Sequence, residues 1–234
     1  KNFDDKRYDS IIAVQVSPIF SVIPALIYGK HHKVKVNTWV MDLWPDILSA
    51  LNLISNRFIL KFLTFISSLI YRLSDSLLIS SEGFRARLLQ LGVDERSIHH
   101  FPQWVEDVME TKNISSTKEF KKVESLLKIH SHLKKIVFTG NIGECQNFPS
   151  VLKAIEILKH RNDFVLLIIG SGREEGHVRR LVSDNGLENQ VKLLGRFPVE
   201  YMPSFYYFSD ALLLPLAKDP LFEITLPGKT QNYL

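Results

Sequence analysis

Short apolar runs alternate with longer amphipathic segments along most of this chain. Apolar runs of strand length predict buried strands of a parallel sheet, and apolar residues at every third or fourth position predict helices. Such an alternation is typical of doubly wound α/β units. The predicted strands are 10–16, 34–41, 76–80, 135–139, 164–169, 191–194 and 211–214, and the main predicted helices are 18–29, 56–73, 82–91, 147–160, 173–182 and 198–208.

A polar stretch separates two groups of predicted strands. Between residues 103 and 133 the apolar pattern weakens, and Ser116 with Glu119 would form the capping box of one short helix. That composition is typical of a hinge. The sequence therefore predicts three parts: a partial first Rossmann-like domain at 1–105, a linker at 106–133 and a partial second Rossmann-like domain at 134–234.

Composition narrows the function classes. The chain has 234 residues, of which 45% are hydrophobic and 23% charged, so it is globular rather than disordered. The net charge of +4 comes from scattered basic residues, which argues against nucleic acid as a partner but leaves a membrane surface open. Its single cysteine, Cys145, cannot form an internal disulfide, which favours a reducing compartment. No apolar run reaches the roughly 18 residues that a spanning helix needs.

Polar residues follow several predicted strands, at the edge where parallel sheets bind ligands. Asp42 follows strand 34–41, and the turn Gly140-Asn141-Ile142-Gly143 follows strand 135–139. The loop 215–229 follows the last strand and carries Glu223 and Lys229. The first two have a plainer interpretation: Asp42 also suits a helix cap, and a strand-to-helix turn needs small residues whether or not it binds phosphate.

Five segments carry a family resemblance. In chain order, WVMDLWPDILSA, VFTGNIGECQNF, GRFPVEYMPSFY, FSDALLLPL and LPGKTQNYL resemble family 4 retaining glycosyltransferases, in particular the bacterial branch that builds capsule, O-antigen and other surface polysaccharides. The resemblance implies a GT-B α/β fold, in which two Rossmann-like domains with parallel sheets face a cleft. Members of that family have further strands before the first of these segments and a helix after the last. We therefore expect the chain to be the central piece of a longer enzyme.

The resemblance also implies a reaction. A hexosyl or N-acetylhexosaminyl group would pass from a nucleotide-diphosphate sugar to a glycan on an undecaprenyl-type lipid carrier, with retention at the anomeric carbon. The enzyme would act in the cytoplasm, at the inner face of the cytoplasmic membrane, without a metal or another cofactor. The sequence has no Asp-x-Asp motif and no metal-ligand spacing, in keeping with that expectation.

Ten residues are the implied site. Asp42 and Glu223 would be catalytic, Glu223 holding the hydroxyls of the transferred sugar. Arg196 also fits a solvated surface position. The implied donor contacts are Gly140, Asn141, Gly143, Gln146, Arg196, Thr225, Lys229 and Asn232.

The sequence departs from the family pattern at four positions. Met41 stands where relatives often have a histidine, and Asn141 and Gln146 stand where many have an arginine and a lysine that grip the diphosphate. Lys229 is then the expected diphosphate contact. Asn232 stands near a second family glutamate, and it can bind a ribose hydroxyl only as an amide. These departures keep open a non-catalytic subunit that binds a nucleotide sugar or a partner. A third alternative is a nucleotide-sugar epimerase, which shares the fold.

The helix predicted at 56–73 has two interpretations. Its main apolar face is predicted to include Phe58, Ile59 and Phe62, while Leu60 and Phe65 fall off that face beside basic residues. Such surplus apolar surface suits a helix that lies on a membrane. A core helix covered on both sides is the alternative.

Overall fold

The structure is a computed structural model that describes residues 8–105, 107–110 and 113–234. It contains two parallel four-stranded sheets and divides into two compact units. The first unit comprises the residues up to Gln103 together with Lys218–Pro227, and the second comprises Trp104–Ala217 together with Gly228–Leu234. The predicted α/β class with parallel sheets is confirmed.

The first unit has the strand order β1-β2-β3-β4. Its last strand was not predicted, because three residues that end in two histidines carry no strand pattern. Its elements are β1 (Ser10–Gln15), α1 (Ile23–His32), β2 (Lys35–Val40), α2 (Asp46–Ala50), α3 (Arg57–Leu73), β3 (Ser76–Ile79), α4 (Phe84–Gln90), β4 (Ile98–His100) and α9 (Pro220–Glu223).

Two predictions for the start of this unit were wrong in detail. Strand β1 lies at the edge of the sheet and exposes Ile12 and Val14, so it is not a buried strand. Helix α1 does not end at Gly29 but runs to His32. Gly29 serves close packing instead, because a Cβ there would overlap the Val36 side chain of β2.

Helix α3 begins at the cap residue Asn56, whose side chain accepts hydrogen bonds from the amides of Phe58 (2.9 Å) and Ile59 (3.3 Å). Its buried residues are Ser67, Ile70 and Tyr71. The core therefore covers only part of the predicted apolar surface of α3, on one side of the helix. Leu60 is half-buried, whereas the following apolar residues are exposed: Phe58, Ile59, Phe62, Phe65, Leu69 and Leu73.

The second unit has the strand order β7-β6-β5-β8. Strand β6 is buried along its whole length, as expected for a central strand of a sheet covered on both faces. The elements are α5 (Lys118–Leu127), β5 (Lys134–Thr139), α6 (Phe148–Ile157), β6 (Phe164–Ile169), α7 (Glu175–Asp184), β7 (Val191–Gly195), α8 (Met202–Tyr207), β8 (Ala211–Leu212) and α10 (Lys229–Tyr233).

Helix α5 lies in the stretch for which a linker was predicted. Its cap is Thr117 rather than Ser116, with the Thr117 hydroxyl accepting from the Phe120 amide at 3.1 Å. Val123 and Leu127 are buried in one core with Phe205 of α8. The few apolar residues of this polar stretch thus suffice to make α5 part of the second unit.

Candidate functional site

Three turns at the carboxyl ends of β5, β6 and β7 lie side by side in the second unit. The Gly140 amide donates to the Ile169 carbonyl at 2.8 Å, and the Gly170 amide donates to the Gly195 carbonyl at 2.8 Å. The Ile142 amide donates to the Ser171 carbonyl at 2.9 Å. Backbone hydrogen bonds therefore continue from strand to strand beyond the ends of the sheet.

Glycine is required at two of these turns. Gly140 and Gly170 have φ angles of +123° and +148°, which side chains rarely adopt. A Cβ on Gly170 would overlap the carbonyl oxygen of Gly140. The two turns are in backbone contact, so Gly170 has a structural role here as well as a position at the site.

A cavity of about 340 Å³ opens over these turns. Its volume falls in the range of small-molecule sites. Asn141, Ser171 and Arg196 supply polar side chains, and Phe197 and Met202 supply apolar ones. The structure thus brings together Gly140, Asn141 and Arg196 from the predicted set. Phe197 and Met202 were not predicted as site residues, although both stand in the GRFPVEYM segment that carries the resemblance.

Lys229, the first residue of α10, lies over the first turn. Its ammonium nitrogen is 4.0 Å from the centre of the Phe138 ring, and a Cβ on Gly140 would lie 2.5 Å from its Cε. Burial lowers the pKa of Lys229 to about 8, and the nearby Cys145 opposes that shift. A cation–π contact holds the charge above an aromatic face in a partly desolvated site.

Gln146 is engaged within its own turn. Its side-chain oxygen accepts from the Gly143 amide at 2.9 Å, and its amide nitrogen donates to the Cys145 sulfur at 3.0 Å. Gly143 packs closely, since a Cβ there would lie 2.7 Å from Nδ2 of Asn141. Gln146 therefore fixes the shape of the turn that carries Asn141.

Tyrosines anchor helix α10 to strand β5. The Thr139 amide donates to the Tyr233 hydroxyl at 3.0 Å, and the Thr139 hydroxyl lies 2.9 Å from that of Tyr206. Burial raises the pKa of Tyr233. Asn232 precedes Tyr233 on this helix. This network sets the position of Lys229 at the start of α10, and nothing in the sequence pattern pointed to it.

Asp42 follows β2 in the first unit. Its carboxylate accepts a hydrogen bond from the Ser17 hydroxyl at 3.3 Å, and burial raises its pKa. The cap position of α2 is Pro45, which makes no side-chain cap bond, so Asp42 does not cap that helix. The Trp44 amide donates to the Tyr71 hydroxyl at 3.1 Å. Helix α3 thereby holds the turn that carries Asp42.

Glu223 and Thr225 also belong to the first unit. Helix α9 packs there because Leu221 enters the core that contains Leu43 and Trp44. The Ser81 hydroxyl donates to the Ile224 carbonyl at 2.6 Å. Glu223 is exposed, and the Thr225 hydroxyl donates to the Leu221 carbonyl at 2.7 Å.

The predicted site residues thus divide between the units. Within the part of the chain that the structure describes, no three His, Cys, Asp or Glu residues are grouped to hold a metal ion. Asp42, Glu223 and Thr225 lie in the first unit, and Gly140, Asn141, Gly143, Gln146, Arg196, Lys229 and Asn232 lie in the second.

The segment that carries the glycine turns also matches a protein-family model. Residues 119–221 match the family model of the glycosyl transferases group 1. The group 1 segment includes the three turns, Arg196 and the cavity above them.

Known proteins resemble the chain over a longer stretch. A putative colanic acid biosynthesis glycosyl transferase of Escherichia coli K12, WcaI, is 23% identical over 163 residues, which are 68% of this chain and 38% of that protein. Two solved structures share the fold. A Rickettsia africae glycosyltransferase has a TM-score of 0.63 at 18% identity, covering 87% of this chain and 50% of that one. Anabaena HepE in complex with UDP and glucose has a TM-score of 0.65 at 14% identity, covering 88% of this chain and 52% of that one.

The two parallel units and these structures establish a GT-B-like α/β fold. The chain spans about half the length of these two solved structures and a smaller share of WcaI. The matched model is that of the group 1 glycosyl transferases, and WcaI is named for colanic acid biosynthesis.

Proposed function

We propose that the protein transfers a sugar from a nucleotide-diphosphate donor to a glycan acceptor during synthesis of a bacterial surface polysaccharide. The observation that carries this proposal is the ammonium of Lys229 beside the turn at Gly140 in the group 1 segment. Turn amides and a cation together suit a diphosphate.

A uridine diphosphate sugar is the proposed donor. HepE, which shares the fold, was solved with UDP and glucose and with UDP-glucose. In this chain the diphosphate would lie on the turn at Gly140 under Lys229, with the nucleoside toward Arg196 and Phe197. Asn141 lines the same cavity and can donate through its amide. Lys229 is then the main cation of the proposed diphosphate site.

The proposed reaction needs charge stabilisation more than a strong base. The bond between the anomeric carbon and the diphosphate breaks, a bond to an acceptor hydroxyl oxygen forms, and the proton of that hydroxyl leaves with the diphosphate. Negative charge grows on the diphosphate, so a fixed cation such as Lys229 lowers the barrier. Glu223 is proposed to hold the sugar hydroxyls, and Asp42 to orient the acceptor. Retention at the anomeric carbon is part of the proposal.

The acceptor is proposed to be a glycan on a lipid carrier of the undecaprenyl type. WcaI is named for colanic acid biosynthesis, and WaaG, which shares this fold with a TM-score of 0.59, is described as involved in lipopolysaccharide biosynthesis. Polymers of this kind grow at a membrane, so the proposed location is the inner face of the cytoplasmic membrane, with the protein at the lipid surface.

The test uses the intact protein and a panel of UDP-hexoses and UDP-N-acetylhexosamines. Thermal shift identifies the sugar that binds, because a ligand at a hundred times its Kd adds about 2.7 kcal/mol of stability. Release of UDP with a lipid-linked acceptor then measures turnover, and the anomeric coupling of the product reports retention. A protein that binds no nucleotide sugar would contradict the proposal.

A second candidate is a subunit that binds a nucleotide sugar without turnover. The observation in its favour is that Asn141 and Gln146 are neutral, with Gln146 engaged within its turn. Binding of a UDP-sugar without release of UDP, over a full set of acceptors, would support this candidate over the enzyme.

A further inference from the structure

A continuous apolar stripe runs along the outer side of α3. One side of the helix carries five apolar residues at intervals of three or four: Phe58, Phe62, Phe65, Leu69 and Leu73. The prediction that Phe65 falls off the face of Phe58 and Phe62 was therefore wrong. The exposed fraction is 84% for Phe58, 63% for Phe62, 62% for Phe65 and 67% for Leu73. We call these five residues the α3 stripe. A helix that served only the core would not expose three phenylalanines in a row.

A groove beside the stripe extends the apolar surface to α1. It has a volume of about 670 Å³ and is lined by Leu26 and Ile27 of α1 and by Ile66 and Leu69 of α3. Ile27 is 66% exposed. The stripe and the groove share Leu69 and Leu73, so the two helices present one joined apolar surface.

Basic residues border this surface. Neither α1 nor α3 contains an aspartate or a glutamate. Arg57, Lys61 and Arg72 are exposed on α3, and Lys30, Lys33 and Lys35 line the groove. The acidic residue of the groove is Asp75, whose carboxylate accepts from the Val36 amide at 2.8 Å.

We propose that the α3 stripe and its groove dock this protein on an anionic bilayer, with α3 lying in the headgroup region. Phenylalanine and leucine side chains gain by entering the acyl boundary, and lysine and arginine gain near anionic lipid. In the part of the chain that the structure describes, no helix is long and apolar enough to cross a membrane. The helix would therefore lie on the bilayer.

Charge favours the bilayer over a second copy of the chain. If two α3 stripes faced each other, Lys61 and Arg72 of one copy would lie near the same cations of the other. A surface of phosphatidylglycerol supplies the opposite charge. Docking rests on the proposed function, which places the acceptor at a membrane. It concerns how the protein binds lipid, not how it transfers the sugar.

The experiment is flotation of the intact protein with vesicles of phosphatidylcholine, alone or mixed with phosphatidylglycerol. We expect the double variant Phe62→Glu, Phe65→Glu to lower partition into the mixed vesicles by about tenfold or more. Two large apolar contacts are lost, and the anionic lipid repels the two added carboxylates. The matched control is Ile129→Glu, Ile157→Glu, which makes the same charge change at residues 74% and 69% exposed in the second unit. That control should float like the unchanged protein.

A charge variant tests the lipid class. Lys61→Gln, Arg72→Gln should weaken partition into the mixed vesicles by roughly thirtyfold, about fivefold for each cation lost near anionic lipid, and should leave the weak binding to phosphatidylcholine unchanged. Equal flotation of the glutamate variant and its control would overturn the proposal, as would absence of flotation in the unchanged protein.

Two other occupants give distinct results, and each overturns the proposal. A dimer that forms without vesicles and dissociates in the glutamate variant identifies a second copy. A fluorophore can be attached at residue 62 through Phe62→Cys in a Cys145→Ser background. If it is shielded from water before vesicles are added, a further segment of the protein covers the stripe. UDP binding is measured on the same samples. If the protein binds UDP but not vesicles, the docking proposal fails and the proposed function stands. If it binds vesicles but not UDP, the proposed function fails and the docking surface stands.

Discussion

The ammonium nitrogen of Lys229 lies 4.0 Å from the centre of the Phe138 ring. Phe138 belongs to β5 and is fully buried, so the ring is a fixed support for the charge. The same site withdraws Lys229 from water, and this lowers its pKa to about 8. A cation held in this way gains when an anion arrives, because the anion repays part of the lost hydration.

Removing this cation should weaken donor binding. Lys229→Ala is expected to raise the Kd for UDP by more than tenfold, on the order of the 1.5 to 3 kcal/mol of a charge-assisted hydrogen bond. Isothermal titration of the intact protein measures the change. Lys153→Ala is the control, because Lys153 is an exposed residue that pairs with Glu156 on α6. If Lys229→Ala keeps the affinity of the unchanged protein, another group binds the diphosphate.

The affinity for UDP should depend on pH above 8. In the proposed site only protonated Lys229 would attract the diphosphate, so the Kd should stay level from about pH 7 to 8 and then rise by up to roughly tenfold per pH unit. Lys229→Arg stays charged over this range and should remove the slope. An identical slope in both proteins would assign the titration to a different group.

The same pKa shift gives a sign for stability. The folded pKa of Lys229, about 8, lies below its usual 10.5, so the unfolded chain binds more protons between these values. The contribution of Lys229 to the free energy of unfolding therefore rises with pH across that window. Lys229→Met should raise Tm most below pH 8, and the gain should vanish as pH approaches 10.5. A gain that grows with pH would contradict the assignment.

Alanine substitutions at three glycines should change the free energy of unfolding by different amounts. Gly140→Ala forces a residue at φ +123° against Lys229, and we expect a loss of about 1 to 3 kcal/mol together with weaker UDP binding. Gly170→Ala should cost more, because its Cβ overlaps backbone. Gly176→Ala is the control: its Cβ meets only Arg180 at 3.9 Å, and a helix gains up to about 1 kcal/mol from alanine. Denaturant unfolding ranks the three, and equal losses would contradict the geometry.

The two carboxylates should affect turnover without affecting stability. Burial raises the pKa of the Asp42 carboxyl, because it disfavours the ionised form. Asp42→Asn removes that charge, so the free energy of unfolding near pH 7 should stay level or rise slightly. Glu223→Gln changes an exposed side chain. Both variants should lower kcat for sugar transfer with Tm nearly unchanged. A fall in Tm that matches the fall in kcat would instead indicate a structural role.

The sheets could be predicted because buried strands leave an unmistakable pattern. The six apolar residues of β6 are one continuous run, and the structure buries all of them. Short elements carry too little pattern: β4 has three residues, and its pairing with β3 depends on neighbours far along the chain. The short helix predicted in the polar stretch is present as α5, but its packing into the second unit could not be predicted, because its partner Phe205 lies about 80 positions further on.

The site was predictable where position on a strand decides it. Gly140 and Arg196 follow strand ends, and parallel pairing carries both to one cavity. Long-range packing was beyond the sequence. Leu221 draws Glu223 and Thr225 into the first unit, and the hydroxyl of Tyr233 anchors α10 to Thr139. The sequence near an apolar residue or a tyrosine does not show which distant residue it will contact.

Helix α3 joins its outer face to the turn that carries Asp42. The Tyr71 hydroxyl accepts from the Trp44 amide, and Phe62 lies nine residues earlier on the same rigid helix, about 14 Å along its axis. With the α3 stripe set in the headgroups, the depth of the helix fixes how high Asp42 stands above the lipid. In the proposed arrangement, that height sets how far a glycan must extend from its lipid carrier to reach the Asp42 carboxylate.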